Sequence, residues 1–352
     1  MSTRTPLHSR TAWYGKDLAR SDAWVRRVGA RELAEIDAAM ARVAGMPVLE
    51  ITKADFPLGA AADLLAEIAE ELEDGLGAMR LAGLAVARYG EADLKRLIWG
   101  LGTHLGTAMY QNAYGEIIGE VRDETRDTQP SFAPSEPGKV MSSRQRTRST
   151  GPLRFHTDGA DLIALLCVNN SKAGGVSKLA SAVTIYNEIL KRRPDLLELL
   201  CQDYWRMRTE PGNPVYKLPV FGLENGKLTT QYSRTFVEQA QELADVPRLT
   251  AAQNEALDLL AAVAEEVCIH APFTPGDLQI LNNHVIYHGR TAYEDDAKGG
   301  ETRLLYRLWL STPNSRPLPE GFDVHWGAVA PGALRGGIPQ RNGERSPLVP
   351  VG

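Results

Sequence analysis

Seven consecutive apolar residues, Leu162 to Val168, constrain this chain more than any other feature. A strand that is wet on one face alternates apolar and polar side chains, whereas an unbroken apolar run reads as a strand covered on both faces. The run is far too short to cross a bilayer, so the covering layers must come from the chain itself. Leu153 to Asp158, just upstream, reads as a second strand, and Leu278 to Leu281 and Arg303 to Leu310 as two more.

Helical spacing surrounds these strands. Leu33, Ile36, Met40 and Val43 recur with helical period, as do Leu64, Leu65, Ile68 and Leu72 before Gly75. The first hundred residues therefore read as helical, with 1–74 as a helical buttress against a sheet. Val183, Tyr186, Ile189 and Leu190 define a helix over Ser181–Arg193 that stops at Pro194. Leu257, Leu260, Val263 and Val267 define another from Ala251 to about Cys268, opened by a capping-box pair, Thr250 and Gln253. Residues 121–152 are polar and turn-rich, with Pro130, Pro134 and Pro137, and arginines at 144, 146 and 148. Loops of this length are usually functional, and a lid is the reading adopted. The Pro- and Gly-rich residues 311–352 read as an irregular tail. No repeat is visible, so residues 1–352 are taken as one mixed α+β domain, a β-sandwich or open barrel wrapped by helices.

The formal net charge of -5 supplies no basic field, which disfavours nucleic acid and anionic membrane and favours a small-molecule partner. Three widely separated cysteines suggest reduced core thiols, and the start lacks an apolar signal region; a cytoplasmic protein is expected, with homo-oligomerisation left open.

Phe155-His156-Thr157-Asp158 places an imidazole and a carboxylate two residues apart, on one face of a strand and within reach of one ion. Alone the pattern is weak. Downstream, Asn282 to Arg290 (NNHVIYHGR) adds a second imidazole, and two histidines with one carboxylate form the facial triad of non-haem Fe(II) oxygenases. In Arg303-Leu304-Leu305-Tyr306-Arg307-Leu308-Trp309, alternation puts Arg303, Leu305, Arg307 and Trp309 on one face. Buried guanidinium groups require a partner, and a dicarboxylate whose 2-oxo-acid end chelates a metal would provide one; structural carboxylates would serve equally.

Taken together, FHTD at 155–158, GGVS at 174–177, NNHVIYHGR at 282–290 and RLLYR at 303–307 resemble the taurine/2-oxoglutarate dioxygenase family over about residues 75–316. The resemblance implies a double-stranded β-helix (jelly-roll) core with flanking helices. It implies Fe(II) held by His156, Asp158 and His288, and 2-oxoglutarate and O2 as co-substrates. Arg303, assisted by the Ser177 hydroxyl, would hold the far carboxylate of 2-oxoglutarate, and Arg307 its near carboxylate or an anionic group of the substrate. Ser177 departs from the family's usual threonine but keeps the hydroxyl. The implied reaction is oxidation of an unactivated C–H bond in a small anionic or amino-acid-like molecule, by hydroxylation, releasing succinate and CO2; a carboxylate at Asp158 disfavours halogenation. His284, four residues before His288 on the expected strand, is read as a pocket or core histidine. Tyr110, Gln111 and Asn112 stand where family members approach substrate, or form a buried turn. Lys139, Arg144, Arg146, Arg148 and Arg154 are read as a solvated charge run, with a role at the entrance as the alternative. Two rivals remain: a metal-dependent hydrolase or isomerase, and a catalytically silent binding protein.

Overall fold

The structure is a computed structural model that describes residues 4–132, 139–208 and 214–348. Pro134, Pro137 and the last four tail residues lie outside the described residues.

The apolar run forms the strand Leu162–Asn169 at the centre of a seven-stranded sheet. Leu278–Asn282 and Leu304–Ser311 pair with it antiparallel on either side. Ala78–Ala82 and Val25–Arg27 extend one edge, and Thr107–Ala108 and Ile118–Val121 pair with Leu304–Ser311 at the other. A second sheet, four strands in the order Ile269–Ala271, Ser177–Ser181, Ile286–Arg290 and Leu153–His156, faces the first. The chain passes repeatedly from one sheet to the other, the jelly-roll arrangement that the resemblance implied. Leu162, Ile163, Leu166 and Cys167 are almost wholly buried, each large side chain contributing about 1.5–3 kcal/mol.

Helices cover both outer faces. Ala30–Arg42, Ala60–Glu73 and Glu91–Gly102 join the core cluster of the large sheet, through Ile36, Met40, Leu65, Ile68 and Leu97. Ala182–Arg192, Pro194–Leu200 and Ala251–Val267 pack behind the small sheet through Ile185, Ile189, Leu197, Leu257 and Leu260. Ser181 caps the first of these by accepting the Thr184 N–H at 3.0 Å, and Thr250 with Gln253 form the expected capping box. Pro194 does more than stop a helix. It opens the next one at the first turn, where a missing N–H costs nothing. Residues 4–74 are not purely a helical buttress, because Val25–Arg27 supplies a parallel edge strand, and Ala78–Ala82 breaks the expected helical hundred. No helix of the described residues is long and apolar enough to cross a membrane.

Candidate metal centre and active site

Sheet register brings the first two ligand candidates together: His288 on Ile286–Arg290 pairs directly with His156 on Leu153–His156, their rings 4.2 Å apart. Asp158 lies two residues past the strand end. Its N–H donates to Asn283 Oδ1 at 3.0 Å, and Asn283 Nδ2 donates to Ala160 O at 2.9 Å, so the asparagine five residues before His288 clips the Asp158 loop to the neighbouring turn. One ligand atom from each of His156, Asp158 and His288 falls within 4.8 Å of the others. Both His156 Nε2 and His288 Nε2 stand 3.8 Å from Asp158 carboxylate oxygens. Ligands held about 2.0–2.2 Å from a divalent ion stand roughly 3 Å apart at right angles, so less than 1 Å of adjustment closes the cluster on one ion.

The protonation pattern suits a cation. His156 Nδ1 lies 2.9 Å from Arg154 O, and because a carbonyl only accepts, Nδ1 carries a hydrogen and Nε2 is the ring nitrogen left to face a metal. Burial and the adjacent His156 push the His288 imidazole down to about 3, against the pull of Asp158, so it is neutral. Its Nδ1 is buried without a partner. Burial opposes ionisation of Asp158, but the Arg307 guanidinium, His288, His156 and the Trp309 N–H outweigh it and hold the carboxyl below its usual range. Trp309 Nε1 donates to Asp158 Oδ2 at 3.0 Å, and Arg307 Nη1 stands 3.8 Å from the same oxygen. Two imidazoles and a carboxylate, held by other groups, fit Fe(II) as its facial triad.

Two cavities meet at His156 and Arg307. The larger, of about 300 Å3, is lined by Arg144, Arg148, Trp309 and Ile338 together with Met207, Arg208, Tyr216, Gln231, Phe236 and His325. The smaller is lined by Ser177, His288, Arg290, Arg303, Leu305, Arg307 and Phe273. Arg303, Leu305 and Arg307 thus share a face as alternation predicts, although Arg303 lies just before the strand proper. Arg303 is buried and donates from Nη1 to Asn170 Oδ1 at 3.3 Å. Ser177 Oγ accepts from Gln279 Nε2 at 3.1 Å. Gly174 and Gly175 both adopt positive φ, and a Cβ on Gly175 would sit 2.6 Å from Arg303 Nη1, which explains glycine there.

Several residues differ from expectation in place or in partner, and His284 keeps its expected core role from a different place. His284 is on the turn between two strands, not on the strand of His288. It is fully buried, with Nε2 2.8 Å from Asp161 Oδ1 and Nδ1 2.7 Å from Thr229 Oγ, and is a core histidine. Arg335 completes this cluster, donating to Asp161 Oδ1 at 2.7 Å. The tail is not wholly irregular, since a short helix, Asp323–Trp326, carries His325, and it is pinned against the site: Gly337 N–H donates to Gly159 O at 2.7 Å, and His325 and Ile338 line the larger cavity. Gln111 lines that cavity but spends its amide on Arg307, accepting from Nε at 2.6 Å and donating to the Arg307 carbonyl at 2.8 Å. Asn112 lines it too and donates to Glu116, whereas Tyr110 is tied by its backbone to the tail. The basic segment is not a solvated charge run throughout. Arg148 is buried between Glu124 and Glu116, Arg144 pairs with Glu116 at 3.0 Å, and Arg154 pairs with Glu238 at 2.7 Å. A short helix, Ser143–Thr147, interrupts the expected loop. The wall residues Met207, Arg208, Tyr216, Gln231 and Phe236, with His325 and Ile338, escaped sequence reasoning, because they belong to no motif.

Residues 44–309 match the family described as taurine catabolism dioxygenase TauD, TfdA family. The chain belongs to this TauD/TfdA dioxygenase family. Two relatives agree with it. FR-33289 synthase of Streptomyces rubellomurinus is 31% identical over 346 residues, covering 93% of this chain and 97% of that one. Taurine hydroxylase-like protein SAT17 of Stachybotrys chartarum is 27% identical over 325 residues, covering 90% and 83%. Among solved structures, an asparagine oxygenase in complex with Fe(II), 3-hydroxyasparagine and succinate superposes with a TM-score of 0.61 at 17% identity, covering 82% of this chain and 94% of that one. The oxygenase OrfP with Fe and alpha-ketoglutaric acid gives 0.58 at 15%, covering 82% and 93%, and both show the same fold. This TauD/TfdA member is an Fe(II)/2-oxoglutarate-dependent dioxygenase, and the hydrolase, isomerase and silent-protein alternatives give way to it.

Proposed function

We propose that this dioxygenase hydroxylates a small anionic, amino-acid-like molecule at a position facing His156, Asp158 and His288, which hold the iron. The observation that carries the reading is the convergence of those three side chains within 4.8 Å, beside a buried cavity lined by guanidinium groups. Ferrous iron chelated by 2-oxoglutarate supplies oxidising power from O2, with release of succinate and CO2. Arg303 and Ser177 bind the far carboxylate of 2-oxoglutarate. Arg307, oriented by Gln111, faces the near carboxylate or the anionic group of the substrate. Arg144, Arg148, Arg208 and Arg307 line the larger cavity. Although Glu116 and Glu124 pair with the first two, their guanidinium groups remain donors on a wall whose lining includes one acid, Asp158, which suits an anion. Met207, Phe236, Trp309 and Ile338 exclude water. The hydroxylated amino acids held by the asparagine oxygenase and OrfP structures are of a size that this cavity suits.

The described part of the 121–152 segment acts as a lid, its short helix Ser143–Thr147 bringing Arg144 and Thr147 to the cavity, within a single domain. The enzyme works in the cytoplasm on free metabolites, independently of nucleic acid and membrane.

Anaerobic addition of Fe(II) and 2-oxoglutarate should give a visible metal-to-ligand charge-transfer band that His156→Ala abolishes. An undiminished band in that variant would sink the ligand assignment. Small molecules bearing a carboxylate, sulfonate or phosphonate should perturb the band and stimulate succinate release, and their uncharged esters should not. Equal stimulation by the esters would overturn the anionic reading.

A further inference from the structure

A second arginine, Arg290, stands in the smaller cavity with hydrogen-bonding capacity to spare. It lies two residues beyond His288 on the strand Ile286–Arg290, so both side chains point from the same face. In the sheet register its direct partner is Ser177. Arg290 is 4% exposed. Its Nη2 donates to Ser149 O and Gly151 O, each at 2.7 Å, while its Nε and Nη1 are buried beside Tyr293 with no other hydrogen-bond partner among the described residues. Arg303, across the same cavity, likewise has a buried Nε without a partner. Both guanidinium groups flank the ring of Tyr293, at 4.6 and 5.5 Å from its centroid. None of the residues lining this cavity is acidic.

Asp123 and Asp295 lie near Arg290 and Arg303, but neither lines the cavity or hydrogen-bonds either guanidinium group among the described residues, so two buried cations face a cavity suited to an anion from outside the chain. A single carboxylate has two oxygens and about four lone-pair directions, enough to accept from both guanidinium groups and from the Ser177 hydroxyl. We propose that Arg290 is a co-substrate-binding residue, which with Arg303 and Ser177 forms a two-arginine clamp on the far carboxylate of 2-oxoglutarate. The clamp makes the pocket selective for 2-oxo acids that carry a second negative charge at that end. It rests on the assignment of the smaller cavity to 2-oxoglutarate, and extends it to a residue that none of the family motifs assigned.

The test uses the full chain loaded anaerobically with Fe(II), titrated with 2-oxoglutarate or with 2-oxopentanoate, which has a methyl group where the far carboxylate would be. Binding is read from the charge-transfer band. Arg290→Gln should weaken 2-oxoglutarate binding roughly 10- to 100-fold, the range for a buried charge-assisted hydrogen bond, and change 2-oxopentanoate binding by less than about 3-fold. Arg290→Lys should recover part of the loss. Unchanged 2-oxoglutarate affinity in Arg290→Gln, or equal weakening of both 2-oxo acids, would overturn the clamp. Arg303→Gln separates this from the underlying reading: if it also fails to discriminate the two acids, the cavity assignment falls; if it discriminates and Arg290→Gln does not, the clamp alone falls. Should Arg290→Gln not fold, arginine Nε–H resonances of the Zn(II)-loaded wild type decide the matter. Addition of 2-oxoglutarate should shift the resonances of Arg303 and Arg290, assigned from the two lysine variants, and a shift confined to Arg303 would refute the proposal.

Discussion

Trp309→Phe isolates one hydrogen bond at the metal centre. The indole N–H donates to Asp158 Oδ2 at 3.0 Å from a side chain that is 6% exposed, and phenylalanine keeps most of the ring while deleting the donor. A buried hydrogen bond to an ionised group contributes about 1.5–3 kcal/mol. The Arg307 guanidinium, now 3.8 Å from the same oxygen, then becomes its nearest donor and competes with the metal for it. At about 1.4 kcal/mol per tenfold, the loss corresponds to roughly 10- to 100-fold weaker metal binding, the range found for outer-shell partners of metal ligands. The assay is anaerobic competition for Fe(II) against a chelator of known affinity, with circular dichroism to establish that the variant folds. Wild-type affinity in a folded Trp309→Phe protein would refute the argument. Intact iron binding with loss of 2-oxoglutarate binding would also count against it, by moving the role of Trp309 from the ligand to the co-substrate.

Three further perturbations follow from the same structure. Asp161→Asn strips the charge partner from buried Arg335 and His284 and should cost about 3–5 kcal/mol in urea unfolding; a loss below about 1 kcal/mol would show that the cluster is not a paired network. Gly175→Ala forces a left-handed residue costing about 1–2 kcal/mol and pushes on Arg303 Nη1, so 2-oxoglutarate affinity should fall more than Fe(II) affinity, and parallel losses would contradict this. Burial, opposed by nearby Arg303, pushes the Cys167 thiol up to about 12, against about 8.5 in an unfolded chain. The raised value means its stabilising effect is complete below about pH 8.5 and is lost as pH rises towards 12; by pH 10 the loss should reach about 2 kcal/mol. Cys167→Ala should flatten that decline in urea titrations at pH 8 and 10, and an equally steep decline would dismiss the thiol as its source.

Local pattern was enough to read much of this protein from its residue order. Helical spacing located Ala30–Arg42, Ala60–Glu73 and Ala251–Val267, because amphipathic period and end caps are written within one segment. An unbroken apolar run located the central strand Leu162–Asn169 for the same reason. The convergence of His156, Asp158 and His288 was legible because a metal restricts residue type and the candidate ligands could be picked out by it. The core role of His284 was legible but its setting was not: a turn displaced it from the strand and handed it to Asp161, 123 residues away. Gln111 is bound to Arg307, 196 residues distant, and Arg290 acquired its place opposite Ser177 through sheet register alone. The cavity wall at Gln231, His325 and Ile338 was assembled from an insertion and a tail that carry no periodic signal. Period and motif report what neighbours along the chain require of one another, whereas burial, pairing and cavity shape depend on which distant segments the folded sheets bring within a few ångströms.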